Sequence, residues 1–110
     1  MLNSVETQLL PQVRNYLDIT WRDAAQDNKL RGIISRGMVY IRGLVGKEQG
    51  EKIDFTKEGK AKELLLEYIR YTRSGALDEF ATNYLPELLR LQIETEMTAN
   101  ATQQGENTDL

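Results

Sequence analysis

Apolar residues recur at helical spacing in four segments of this chain, and turn-forming residues separate the segments. The segments are residues 4–17, 27–45, 57–73 and 85–97. Because positions three and four apart lie on one side of an α-helix, each segment predicts a helix with one buried face. A polar loop and a short extended piece at residues 53–55 separate the second helix from the third. The pattern therefore predicts an all-α fold, a small bundle of about four helices.

The residues that flank these segments predict where the helices begin and end. Thr20 is predicted to be the N-cap before the second helix and Thr56 the N-cap of the third, because hydroxyl oxygens accept the free N–H groups of a first helical turn. Gly46 is predicted to end the second helix. Residues 76–81 are predicted to form a separate turn or two of helix before the fourth helix, which begins near Leu85. Trp21, the only tryptophan, is predicted to close one end of the core.

The chain divides into a helical domain, residues 1–97, and a polar tail, residues 98–110. The tail consists largely of Thr, Asn, Gln and acidic residues, so it has little to bury and is predicted to be disordered. No apolar run approaches the roughly 18 residues that span a bilayer, and the amino end lacks a signal-peptide pattern. We therefore expect no membrane insertion, and synthesis and assembly in the cytoplasm.

The second predicted helix carries small residues on the side opposite its apolar face. This stripe consists of Gly32, Ser35, Val39 and Gly43. Glycine inside a helix costs roughly 1 kcal/mol relative to alanine, which favours close approach of a neighbouring subunit as the compensation. The candidate subunit-interface residues are Arg31, Gly32, Ser35, Val39, Arg42, Gly43 and Leu66. Alternatively, the stripe is surface sequence that binds no partner, and Leu66 is one of the exposed leucines that are ordinary on protein surfaces.

Charge is distributed unevenly along the chain, although the net charge is only -3. Residues 28–52 carry six basic and two acidic side chains, or +4, and residues 74–110 carry one basic and seven acidic side chains, or -6. Opposite charges at the two ends favour head-to-tail binding between copies, a contact that closes into a ring if the rotation permits. The alternative is that both charged segments are simply solvated.

The sequence holds no cysteine and no histidine, and no catalytic, metal-binding or cofactor-binding motif in a suitable context. Thiolate chemistry and imidazole general-base catalysis are thereby excluded, and we expect a protein that is not an enzyme and needs no cofactor. The alternative function is a small helix-turn-helix-like DNA-binding regulator or DNA-packaging accessory protein, with Arg31, Arg36 and Arg42 reaching phosphates. The acidic net charge argues against it.

Several stretches together resemble the small helical head-tail connector proteins of tailed bacteriophages, also called adaptor or head-completion proteins. The similarity covers about residues 5–95 and consists of helix and turn patterns. The stretches are residues 9–13 (LLPQV), residues 16–20 (YLDIT), residues 40–46 (YIRGLVG), residues 53–55 (IDF), residues 63–71 (ELLLEYIRY), residues 77–80 (LDEF) and residues 84–91 (YLPELLRL).

The resemblance implies a subunit of a homo-oligomeric ring, typically of twelve copies, at the head-tail interface of the virion. Its partners would be sister copies, the portal protein and the next neck (stopper) or tail-completion protein. DNA would pass through the lumen without sequence-specific binding. Because relatives hold the portal with carboxy-terminal segments, the candidate docking residues are Pro86, Arg90, Leu91, Glu94 and Met97.

Overall fold

The computed structural model describes residues 4–108, and side chains are described for all of these except residue 47 and residues 98–108. Over this range the chain contains helices and no strand, which confirms the predicted all-α fold. The helices are α1 (Val5–Tyr16), α2 (Ala24–Val45), α3 (Lys47–Gly50), α4 (Lys60–Arg73) and α5 (Leu77–Thr108). The backbone of residues 98–108, part of the predicted polar tail, continues α5 beyond the predicted end of the last helix at residue 97. The side chains of residues 98–108, and residues 109 and 110 entirely, lie outside the described part.

Helix α2 is the centre of the bundle and packs against each of the other four helices. Its apolar face is fully buried, with Ile34 and Ile41 completely inaccessible to solvent. The rest of the core comes from α1, α4, α5 and the loop before α4. The largest fully buried side chains there are Phe55 and Phe80. One core therefore connects all parts of the domain.

Helices α2 and α4 approach closely at Gly37. A Cβ atom at this position would lie 2.7 Å from Leu65 Cδ1 and 2.8 Å from Tyr68 Cδ1, both on α4. Such distances are too short for carbon atoms, so only glycine allows this approach of the two helices without rearrangement. The glycine has a packing role inside the subunit.

The ends of α1 and α4 have the same hydrogen-bonding arrangement. At each end a residue with positive φ follows the helix, Asp18 (φ 59°) after α1 and Gly75 (φ 72°) after α4. The next N–H then donates to a carbonyl five residues back, Ile19 to Arg14 and Ala76 to Tyr71, at 2.9 Å in both cases. These bonds complete Schellman motifs that stop the helices and reverse the chain.

Several predicted boundaries are wrong. The N-cap of α2 is Asp23, whose carboxylate accepts from Ala25 N at 3.0 Å, and Thr20 does not cap a helix. Helix α4 begins after Gly59, whereas the N–H of Thr56 donates to Asp54 Oδ1 at 3.0 Å in a turn. Two of the five helices were not predicted as such: α3 is a single turn in the predicted loop, and α5 joins residues 76–81 to the predicted fourth helix.

Trp21 does not close the core, because it lies in the connector between α1 and α2 and is 53% exposed. Its neighbour two residues earlier, Ile19, is buried instead. The Schellman motif turns Ile19 inward, and the chain that follows runs along the surface until Asp23 starts α2. The prediction for Trp21 is therefore wrong, and its ring is available to solvent.

Candidate assembly surfaces

The side of α2 that faces away from the core is an open surface, which we call the outer face of α2. Its members are Lys29, Gly32, Ser35, Arg36, Val39 and Gly43. Val39 is 67% exposed, the largest exposed fraction among the large apolar side chains described. At Gly43 an added Cβ would have no neighbour within 4 Å, and at Gly32 the nearest atom would be Arg36 Nη1 at 3.5 Å. Of the six residues, Lys29, Arg36, Val39 and Gly43 are exposed, and Gly32 and Ser35 are half-buried.

Arg31 and Arg42, predicted to belong to the same interface, are held by contacts within the subunit. Arg31 donates to Thr7 Oγ1 at 3.2 Å and to Asn28 Oδ1 at 2.8 Å. The guanidinium carbon of Arg42 lies 5.1 Å from the centre of the Phe55 ring, a cation–π contact. Both arginines therefore bind neighbouring segments of their own chain.

Leu66, the remaining interface candidate, lies on α4, away from the outer face of α2. Its side chain is partly buried and packs against the core. Of the seven predicted interface residues, the structure brings together the four small ones, Gly32, Ser35, Val39 and Gly43. It does not bring Leu66 to them.

Helix α5 carries a row of exposed apolar side chains, which we call the α5 row. It consists of Leu85, Leu89, Ile93 and Met97, which are 48–63% exposed. Residues four apart lie about 6 Å apart along one side of a helix. The buried residues of α5, Phe80, Leu88 and Leu91, lie on the opposite side. Scattered exposed leucines are ordinary, but a continuous row of four is typical of a surface that binds another protein.

The structure corrects one of the predicted docking residues. Leu91 is buried in the core and only 8% exposed, so its side chain is not available to a partner. Pro86, Arg90 and Glu94 are exposed on α5, and Met97 belongs to the α5 row. Sequence analysis identified Met97 alone of the row, although the four-residue spacing from Leu85 was a signal that could have identified all of it.

The outer face of α2 and the α5 row carry opposite charges. On the outer face of α2, Lys29 and Arg36 are exposed and belong to none of the ion pairs between described residues. On α5, Asp78 and Glu79 are exposed about 10 Å before the α5 row begins, and Glu96 is exposed within its length. Residues 77–97 hold five acidic side chains and one basic side chain, a net charge of -4. The α5 row is therefore an apolar strip with an acidic surround.

Glu67 on α4 joins three helices through one carboxylate. It accepts hydrogen bonds from the Tyr16 hydroxyl on α1, from Tyr84 Oη on α5 at 2.6 Å, and from Arg70 Nε at 3.1 Å. Burial by itself raises the pKa of Glu67, but the bonds from Arg70 and Tyr84 favour the charged form and hold the pKa below its ordinary value. The same carboxylate, together with partial burial, raises the pKa of Tyr84 to about 12. The tyrosine therefore keeps its proton and donates at neutral pH.

We expect Glu67→Gln to destabilise the subunit at neutral pH by about 1 to 3 kcal/mol, since charge-assisted hydrogen bonds are lost. Because the folded pKa of Glu67 is lowered, its contribution is present above the ordinary pKa of 4.5 and disappears as the pH falls through the folded value. Urea midpoints measured from pH 7 to pH 3 should therefore converge for the variant and the original chain.

The matched control is Glu63→Gln, on the same helix. The Glu63 side chain is 68% exposed, and its ion pair with Lys60 spans 3.6 Å, so its loss should change the midpoint little. Parallel curves for the original chain and Glu67→Gln across the acid range would contradict the proposed role of the carboxylate.

No surface of the described residues forms an evident catalytic or metal centre. One groove, of about 460 Å³, lies between α1 and the start of α2. Arg14 and Asp27 form an ion pair in its wall, so these charges bind each other. Within the described range, no group of three or more acidic side chains is placed to hold a metal ion, and no helix has the length and apolar content to cross a membrane. The outer face of α2 and the α5 row remain the best candidates for function.

Comparison with known proteins adds no relative to this picture: no family model, no curated protein and no solved structure matches the chain.

Proposed function

We propose that the chain is a structural subunit of a bacteriophage neck, which assembles into a ring between the portal and the next head-completion or tail component. In this position the ring extends the DNA channel and seals the filled head. The number of subunits that the resemblance implies is twelve. The ring is located in the virion and assembles in the host cytoplasm.

One observation above all supports an assembly role. A subunit whose core is complete still exposes the apolar α5 row, which has acidic surroundings, and on a different helix an outer face where Val39, Lys29 and Arg36 are exposed. A monomer gains nothing from such surfaces and risks aggregation through them. Two different complementary surfaces on each copy are what a head-to-tail ring requires, because each copy offers one surface to each neighbour.

The phage role is tested by deleting the coding sequence from the genome that carries it and examining the particles by electron microscopy. We expect DNA-filled heads and free tails that do not join, since the link between them is missing. Restoring the gene on a plasmid should restore joined particles. Complete, infectious particles from the deletion strain would contradict the proposal.

The DNA-binding alternative predicts a different result with purified protein. We expect fluorescence anisotropy to show little binding of a labelled duplex between 50 and 200 mM salt, because Arg31 and Arg42 are engaged within the subunit and the net charge is -3. A DNA-binding regulator would bind measurably, and its affinity would decrease by about a thousandfold or more over such a range if it made six or more phosphate contacts. That outcome would favour the regulator.

A further inference from the structure

We infer that the α5 row of one subunit docks on the outer face of α2 of the next subunit. The inference rests on the proposed ring and identifies the two surfaces that form each of its contacts. The partner of the α5 row is thus a second copy of this chain, which binds through its helix α2 and not through its own α5.

Charge complementarity is the main argument for this pairing. The α5 row lies within residues 77–97, a segment with a net charge of -4. Asp78 precedes the row, and Glu96 lies near its end. Lys29 and Arg36 precede Val39 on the outer face of α2, by about 15 Å and about 5 Å along the axis, and have no ion pair within the described subunit. Bringing the two surfaces together places acidic side chains beside basic ones at the rim of an apolar contact.

The same charges argue against pairing of α5 with α5. If two copies of α5 paired, two segments that each have a net charge of -4 would come together around the apolar row. Like charges across a contact reduce its stability. They also argue against an anionic lipid surface, which the acidic surround would repel. A basic helix is the complementary partner, and on α2 the exposed charged residues, Lys29 and Arg36, are both basic.

Shape supports the pairing as well. On the outer face of α2, Val39 projects between two positions without side chains, Gly32 and Gly43. These lie about 10 Å before it and 6 Å after it along the axis, while the side chains of the α5 row repeat about every 6 Å. A projecting valine beside open positions allows the leucines and isoleucine of a second helix to interdigitate.

Cysteine crosslinking tests the contact directly, because the chain has no cysteine of its own. Val39→Cys protein is mixed with Leu89→Cys protein, and in a second reaction with Ile93→Cys protein, under mild oxidation. The control replaces Val39→Cys with Trp21→Cys, an exposed apolar position outside both surfaces. A disulfide needs Cα atoms within about 7 Å, so it reports on contact even when binding is weak.

We expect at least one mixture with Val39→Cys to form the mixed disulfide about tenfold faster than the Trp21→Cys control, because a docked contact raises the effective thiol concentration. Faster formation of Leu89→Cys or Ile93→Cys homodimers would show that α5 pairs with itself and would overturn the inference. No preference over the control would overturn it too.

A second measurement uses the asymmetry of the contact. Val39→Asp removes one surface and Leu89→Asp the other, so each variant alone should lose self-association in sedimentation velocity. An equal mixture has one intact contact and should form dimers and nothing larger. Self-association of Val39→Asp at the level of the original chain would contradict a role for α2.

The two proposals fail in different ways. If the disulfides form as expected but the deletion strain produces complete particles, the neck function is wrong and the contact is correct. If the deletion strain produces unjoined heads but crosslinking shows no preference, the ring uses other surfaces.

Discussion

Replacing Phe80 by alanine is expected to lower the free energy of unfolding by about 3 to 5 kcal/mol. Phe80 on α5 is 1% exposed and its ring contacts four tyrosine rings, those of Tyr40, Tyr68, Tyr71 and Tyr84 at centroid distances of 5.3 to 6.1 Å. Alanine leaves a cavity where α2, α4 and α5 meet and removes edge and stacking interactions worth roughly 0.5 to 1.5 kcal/mol per pair. Domains of this size are stable by about 5 to 15 kcal/mol, so the loss is a large part of the total.

The measurement is urea unfolding followed by circular dichroism, at a protein concentration low enough to keep the chain monomeric. Phe80→Leu serves as the control, because leucine keeps much of the buried volume and should cost clearly less than alanine. An effect of Phe80→Ala below about 1 kcal/mol, typical of a surface position, would contradict the central place of this ring.

The second large effect is expected from two identical substitutions in α2. Gly37→Ala should destabilise the subunit by about 1 to 3 kcal/mol, because the new methyl group overlaps the side chains of Leu65 and Tyr68, which must then shift within a packed core. Gly43→Ala should stabilise the monomer by roughly 0.5 to 1 kcal/mol, because its methyl group points into open space and alanine favours the helix.

Each variant is the control of the other, since both replace glycine by alanine in the interior of one helix. Urea midpoints of the two should move in opposite directions from that of the original chain. Stabilisation by both substitutions would show that helix propensity, and not the contact with α4, determines the effect at Gly37. Destabilisation by both would contradict the expectation for Gly43.

The bundle was predictable from periodicity, but the faces of its last helix were not. In α1, α2 and α4 the apolar residues are numerous enough to fix which side is buried. In α5, Leu85, Leu88, Leu89, Leu91 and Ile93 spread over about 200° of the helix circumference, so periodicity alone does not fix which of them are buried. Leu88 and Leu91 are buried because they lie on the same side of one continuous helix as Phe80. The sequence predicts a break before Leu85, so it does not relate these leucines to Phe80.

The candidate site was predictable in part for the same reason. The small residues of α2 lie opposite a well-defined apolar face, so their position away from the core followed from the helix alone, although Gly32 and Ser35 are only partly exposed. Arg31 and Arg42 lie at the edges of that face, where long side chains reach residues that are distant in sequence. Their contacts with Thr7 and Phe55 depend on the positions of α1 and of the loop before α4, which periodicity does not give.

Pro86 lies inside α5, on the same side as the α5 row. Proline has no N–H, so the carbonyl oxygen of Thr82, one turn earlier, lacks the donor that it would have in an uninterrupted helix. Water can satisfy that oxygen on a free subunit, but a purely hydrocarbon covering would leave it unsatisfied at a cost of about 1 to 3 kcal/mol. A partner surface that covers α5 there must therefore place a hydrogen-bond donor near the carbonyl oxygen of Thr82. A partner shifted along α5 by one turn would place that donor too far from the oxygen. The missing amide hydrogen of Pro86 therefore favours one register of the helix–helix contact over others with similar apolar packing.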